Sequence, residues 1–316
     1  MPGLLVMMAA AAMATTPLQP ADHEVHIGRG DQALYGALVS PDPEHPTPAV
    51  LMLAGSGPED RNGDDLKDGQ RTQALKLLAT GLAEQGFASL RFDKRGVGAS
   101  VQAAPRPQDL KVGDFVDDAV AWANYLRAQP GVRCVVILGH SEGALLAVLA
   151  AQKVRTCGVI SVSGTAKDFG ALVESQNALA RRSPALIARL HEIIASFRAG
   201  KPVADVPPEL AGTFGPDAQA YTMSEINIDP VAEVAKLRAP VLVLQGDNDF
   251  QVGIGDAKAL AAAKPGNRLV IVPGMTHPLK LAGKDFASMA KAYTDPTLPL
   301  APQVVAAIAD FVRGAR

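Results

Sequence analysis

The sequence predicts an α/β fold: a mostly parallel, doubly wound sheet with an N-terminal hairpin and a helical cap inserted after the sixth strand. Three observations carry that expectation. Continuous apolar runs rich in Val, Ile and Leu, typical of strands buried on both faces, alternate with segments of helical apolar spacing. Between residues 165 and 235 the alternation stops and only helical spacing remains. One strand-like run, Val135-Val136-Ile137-Leu138, passes straight through Gly139-His140-Ser141-Glu142-Gly143 into an alanine-rich helix. That is the strand-turn-helix setting in which the serine of G-x-S-x-G sits at the tip of a tight turn.

The elements follow in order. Residues 1–20 stand apart: Met1 to Ala14 carry no charge, and Ala12-Met13-Ala14 fits a small-x-small cleavage site. They read as a signal peptide and leader, although the basic residue usual at such a start is missing. Export to the periplasm or outside the cell is therefore expected, with a cytoplasmic location as the alternative. The apolar run is too short for a transmembrane anchor. The core is assigned to residues 21–164 and 236–316, and the cap to 165–235.

Residues 23–27 and 33–40 read as a hairpin around Gly28-Arg29-Gly30-Asp31. Strands are expected at 49–53, 88–92, 134–138, 158–162, 240–245 and 268–272. Helices are expected near 72–85, 112–127, 142–153, 255–264 and 303–313. Within the cap, Leu186-Ile187, Leu190 and Ile193-Ile194 carry the helical period. Strands alternating with helices imply right-handed crossovers.

The chain has 316 residues, 48% hydrophobic and 20% charged, with a formal net charge of −2. Such a balance argues against a nucleic-acid partner or an anionic membrane surface. No cofactor or metal is expected: no zinc-ligand spacing occurs, and Gly96-x-Gly98 lacks the third glycine of a dinucleotide site. Asp60-x-Asn62-x-Asp64 begins like a calcium loop, but its sixth position is Asp65 and its twelfth Arg71. Cys134 and Cys157 each open a predicted strand. Buried free thiols are the default, and a disulfide needs those strands to be neighbours in an oxidising compartment.

Ligands in such sheets gather at the carboxyl ends of the strands. Ser141 follows one strand, Asp249 a second and His277 a third, the order expected of a Ser, Asp, His hydrolase. The alternatives are an N-cap role for Ser141, a loop role for His277 before Pro278, and Asp247 or Asp168 as the acid. Glu142 beside the nucleophile suits the first turn of a helix, or else pairs with a cation or disfavours anionic substrates.

Over residues 23–313 the chain resembles an α/β-hydrolase. Ala54-Gly55-Ser56-Gly57-Pro58-Glu59-Asp60-Arg61-Asn62-Gly63 resembles the AGSGP-x-DR-[ND]-G segment of bacterial serine esterases and serine-aminopeptidase-like hydrolases, and Asp93–Ser100 the D-x-R-G-x-G-x-S turn. The resemblance favours Asp249 as the acid and implies a proton relay with His277 and Ser141. It also implies an oxyanion hole from the backbone N–H groups of Ser56 and Glu142. Asp93, Arg95, Asp60 and Arg61 then organise their loops. A carboxylic ester of short to medium acyl chain is the expected substrate. A peptide or thioester remains the alternative, and a non-catalytic binding protein on the same scaffold a remote one.

Overall fold

The computed structural model describes residues 22–40, 42–104 and 106–316, so the expected leader and its cleavage site near Ala14 lie outside the described residues. Eight strands form one sheet: β1 (Asp22–Ile27), β2 (Leu34–Val39), β3 (Thr47–Leu53), β4 (Ser89–Phe92), β5 (Val132–His140), β6 (Gly158–Val162), β7 (Val241–Gly246) and β8 (Arg268–Val272). Their order is β1-β2-β4-β3-β5-β6-β7-β8. The β1–β2 and β2–β4 pairs are antiparallel and all others parallel. The chain winds outward in opposite directions from β3, so the crevice between the carboxyl ends of β3 and β5 is the topological switch point. Leu53 pairs with Gly139 there, which brings the loop after β3 beside the turn after β5.

Alternate residues of the central strands feed two cores. Leu51, Leu53, Val135 and Ile137 pack with α2 (Val112–Arg127), α3 (Glu142–Lys153) and α9 (Ile254–Ala262). Val50, Met52, Val136 and Leu138 pack on the other face with α1 (Ala74–Glu84) and α11 (Pro302–Gly314). Burial on both faces explains why these strands read as unbroken apolar runs.

Between β6 and β7 lie α4 (Phe169–Leu179), α5 (Pro184–Arg198), α6 (Ala211–Phe214), α7 (Gln219–Glu225) and α8 (Pro230–Ala235). They bury a core of their own, including Leu190, Ile193, Phe197, Phe214 and Ile226. Asp168, Ser183 and Asp229 cap α4, α5 and α8, and Pro184 and Pro230 open the last two, which fixes where these helices begin.

Four features depart from expectation. Residues Asp64–Asp65 and Gln70–Arg71 form a small antiparallel ribbon within the polar loop. The helix expected from residue 72 starts at Ala74, because Gln73 before it takes a left-handed backbone with φ 51°. A further helix, α10 (Phe286–Thr294), precedes α11. Cys134 and Cys157 are not free thiols: they are joined as a disulfide, Cα atoms 6.0 Å apart, across the neighbouring strands β5 and β6. Among the described residues no helix is long and apolar enough to cross a membrane.

Candidate active site

Ser141 sits between β5 and α3 with φ 54° and ψ −120°, a strained conformation for a residue with a side chain. Two glycines make the turn fit. A Cβ on Gly139 would lie 1.8 Å from the Gly143 carbonyl oxygen, and one on Gly143 would lie 2.5 Å from that of Ala54. Although Ser141 occupies the N-cap position, its hydroxyl makes no capping bond. It faces a cavity instead, and its own N–H is tied to the Val162 carbonyl at 2.9 Å.

Asp249 and His277 meet above the ends of β7 and β8. The ring Nδ1 lies 2.8 Å from Asp249 Oδ2, both side chains being buried. Asp249 also accepts from Gln245 Nε2 at 3.0 Å, Gln251 N–H at 2.8 Å and Val252 N–H at 3.0 Å. Burial alone would raise its pKa. The His277 charge and hydrogen bond, with the two backbone donors, outweigh burial and hold the carboxyl below its usual range. Against an ionised Asp249, Nδ1 is the ring nitrogen that carries a proton and donates it. Gly246 permits this approach, since a Cβ there would fall 1.9 Å from the Met275 carbonyl oxygen. Ser141 and His277 line the same polar cavity of about 420 Å³; no hydrogen bond joins the hydroxyl to the ring in this arrangement. Catalytic hydrogen bonds of this kind often close only around substrate.

The other acid candidates are engaged elsewhere. Asp247 accepts from Gly274 N–H at 2.6 Å and braces the turn after β8. Asp168 caps α4 and pairs with Arg198 at 2.6 Å. Asp93 binds Arg61 and the Ala99 N–H, whereas Arg95 pairs with Asp118 on α2. Asp60 accepts from the N–H groups of Asn62 and Asp64.

The loop after β3 is held from beneath. Glu59 Oε2 accepts from Gly55 N–H at 2.7 Å, and Lys94 Nζ donates to the carbonyls of Gly55 and Gly57, the latter at 2.6 Å. Burial raises the Glu59 pKa against the opposing pull of Lys94. The N–H groups of Ser56 and Glu142 find no acceptor among the described residues. Both residues, with Ser141, line a second chamber of about 800 Å³ that reaches α4 and α7. Among the described residues the Glu142 carboxylate reaches no cation. It accepts from Tyr221 on α7 at 2.9 Å.

Glu59, Lys94, Gln245 and Tyr221 were not anticipated as site residues. Gln245 alone left a trace in the sequence, as a polar residue closing an apolar strand.

A model of the alpha/beta hydrolase family matches residues 72–287. The chain belongs to that family. It is 29% identical over 220 residues to the esterase EstD of Thermotoga maritima, a match covering 69% of the chain and 50% of the relative. The chain thus spans about half the length of the curated relative it matches. Among solved structures it is similar to Est1E from Butyrivibrio proteoclasticus, with TM-score 0.52, 19% identity, and 92% and 96% of the two chains covered. It is also similar to the proline iminopeptidase of Mycobacterium smegmatis, with TM-score 0.58, 18% identity, and 92% and 98% covered. At such identity these two likenesses speak for the fold alone.

Proposed function

We propose that this alpha/beta hydrolase is a serine esterase that cleaves carboxylic esters of short to medium acyl chain through an acyl-enzyme. The observation that carries the reading is the Asp249–His277 pair, whose ring opens onto the cavity of the strained Ser141. In the proposed cycle His277 Nε2 takes the Ser141 proton as Oγ attacks the ester carbonyl, and Asp249 stabilises the resulting imidazolium. The N–H groups of Ser56 and Glu142 receive the oxyanion. Collapse of the tetrahedral adduct breaks the acyl C–O bond, and the alkoxide leaves with the proton held on His277. Water then attacks the acyl-serine with His277 as base, which releases the acid and restores the hydroxyl.

The esterase relative favours an oxygen leaving group, and the 800 Å³ chamber suits a small-molecule ester. In this reading residues 165–235 act as a cap over a core of 21–164 and 236–316. The disulfide supports export of the protein to an oxidising compartment. The test is turnover of p-nitrophenyl acetate, butyrate and the matching anilides by wild type and Ser141→Ala. Ester hydrolysis that disappears in the variant supports the reading. Activity persisting in Ser141→Ala removes the serine from its role, and a preference for anilides makes the enzyme an amidase.

A further inference from the structure

The cap side of the larger chamber holds a carboxyl pair that ester cleavage does not use. Glu225, at the end of α7, is only 5% exposed, yet it lines the chamber. Its Oε2 is buried with no hydrogen-bond partner among the described residues. Glu142 faces the same space from the start of α3, with the Tyr221 hydroxyl as its one side-chain donor among the described residues. Burial, reinforced by the charge of Glu142, holds the Glu225 carboxyl well above its usual range.

The cations around the chamber do not answer these carboxyls. Lys94 is spent on the Gly55 and Gly57 carbonyls, Arg95 on Asp118 and Lys167 on Asp256, while Lys67 is exposed. A buried carboxyl without a partner is costly, and two of like charge in one chamber are costlier. A neutral alkyl group leaves both unanswered, and an anion is repelled. An incoming ammonium supplies both the N–H donors and the counter-charge that lets Glu225 ionise. Leu145, Phe169, Leu172, Val173 and Ile228 add an apolar stretch of wall that suits the carbon stem of such a group.

We propose that Glu225, with Glu142, forms a cation subsite that selects esters carrying a primary or secondary ammonium group on an aliphatic stem. The proposal rests on the serine-esterase reading of the same site.

The test compares phenyl 6-aminohexanoate with phenyl heptanoate, its neutral isostere, in wild type and Glu225→Gln. Wild type is expected to favour the ammonium ester in kcat/KM by on the order of ten-fold or more, the scale of one charged contact. Glu225→Gln should compress that ratio by a similar factor. Independently of any variant, hexylammonium should inhibit phenyl heptanoate turnover at least about ten-fold better than 1-hexanol. Equal turnover of the two esters in wild type, equal inhibition by the amine and the alcohol, or an unchanged ratio in folded Glu225→Gln overturns the subsite. If Glu225→Gln does not fold, the two wild-type comparisons decide. Failure of the esterase reading has a separate signature: phenyl heptanoate turnover that is absent, or that survives Ser141→Ala. Calorimetric titration of Ser141→Ala with hexylammonium still reads the subsite in that event, and absence of binding overturns it.

Discussion

His140 Nε2 lies 2.9 Å from the backbone carbonyl oxygen of His277, with the two rings 4.8 Å apart. The residue preceding the candidate nucleophile therefore holds the main chain of the candidate base. Burial, then the nearby His277 charge, pushes His140 down to about 3, so the ring is neutral and its Nε2–H donates to that carbonyl.

The pH dependence of stability follows from that shift. Between about 3 and the ordinary histidine value of about 6.5, the unfolded chain takes up a proton that folded His140 refuses. The contribution is complete above about 6.5 and is lost as pH falls, at about 1.4 kcal/mol per pH unit. Urea unfolding of wild type and His140→Gln at pH 4, 5, 6 and 7.5 checks this. The stability difference between them should shrink toward acid, and a difference that stays flat removes His140 as its source.

Lys94→Met should act on rate rather than affinity. Its ammonium holds the carbonyls of Gly55 and Gly57, the residues flanking the proposed Ser56 donor. A displaced oxyanion donor weakens the transition state more than bound substrate, so kcat is expected to fall by roughly ten- to hundred-fold with KM little changed. Steady-state kinetics on p-nitrophenyl butyrate separates the two parameters. A rise in KM alone would make Lys94 a substrate contact instead.

Gly143→Ala should be far worse than an ordinary helix substitution to alanine. Alanine normally improves a helix interior over glycine, but here the new Cβ meets the main-chain oxygens of Ala54 and Leu53 at 2.5 and 2.6 Å. Backbone cannot give way as a side chain does, so α3 must move off β3 and carry Ser141 with it. A stability loss of about 1–3 kcal/mol is expected, with loss of ester turnover. Thermal unfolding and activity measured on the same preparation check both.

The parts of this fold that were legible in sequence are those whose burial is continuous along the chain. Strands β3, β5, β6 and β7 are buried on both faces, so their apolar runs are unbroken, and the sheet orders them as crossovers require. Helix α10 gave no such signal, because only Ala292 is buried along it and Phe286 is 88% exposed. The ribbon at Asp64–Asp65 was hidden for a different reason. It is held by single side-chain contacts, such as Gln73 N–H to Asp64 Oδ1 at 2.8 Å, rather than by a repeating pattern. Ser141, Asp249 and His277 stood out by following strand ends. Lys94 and Glu225 are charged residues that look like solvated surface in sequence, and only tertiary packing shows them buried.

The Cys134–Cys157 bridge closes the crossover that carries the candidate nucleophile. Its two ends are 23 residues apart and enclose β5 from Cys134 onward, the Ser141 turn and α3. Tying them restricts the unfolded chain, which for a loop of this size is worth about 3 kcal/mol in the chain-entropy account. The bridge lies near the amino ends of β5 and β6, whereas Ser141 follows the carboxyl end of β5. Stability and chemistry should therefore part company: Cys134→Ser with Cys157→Ser is expected to lower Tm by roughly 6–12 °C and to leave kcat for p-nitrophenyl butyrate nearly as it was. Thiol labelling of protein recovered from an oxidising compartment provides the companion measurement. No thiol should react in unfolded, unreduced protein, and two should react after reduction. Two reactive thiols without reductant would mean that the strands hold together unbridged, and the argument for an oxidising compartment would fall with the bridge.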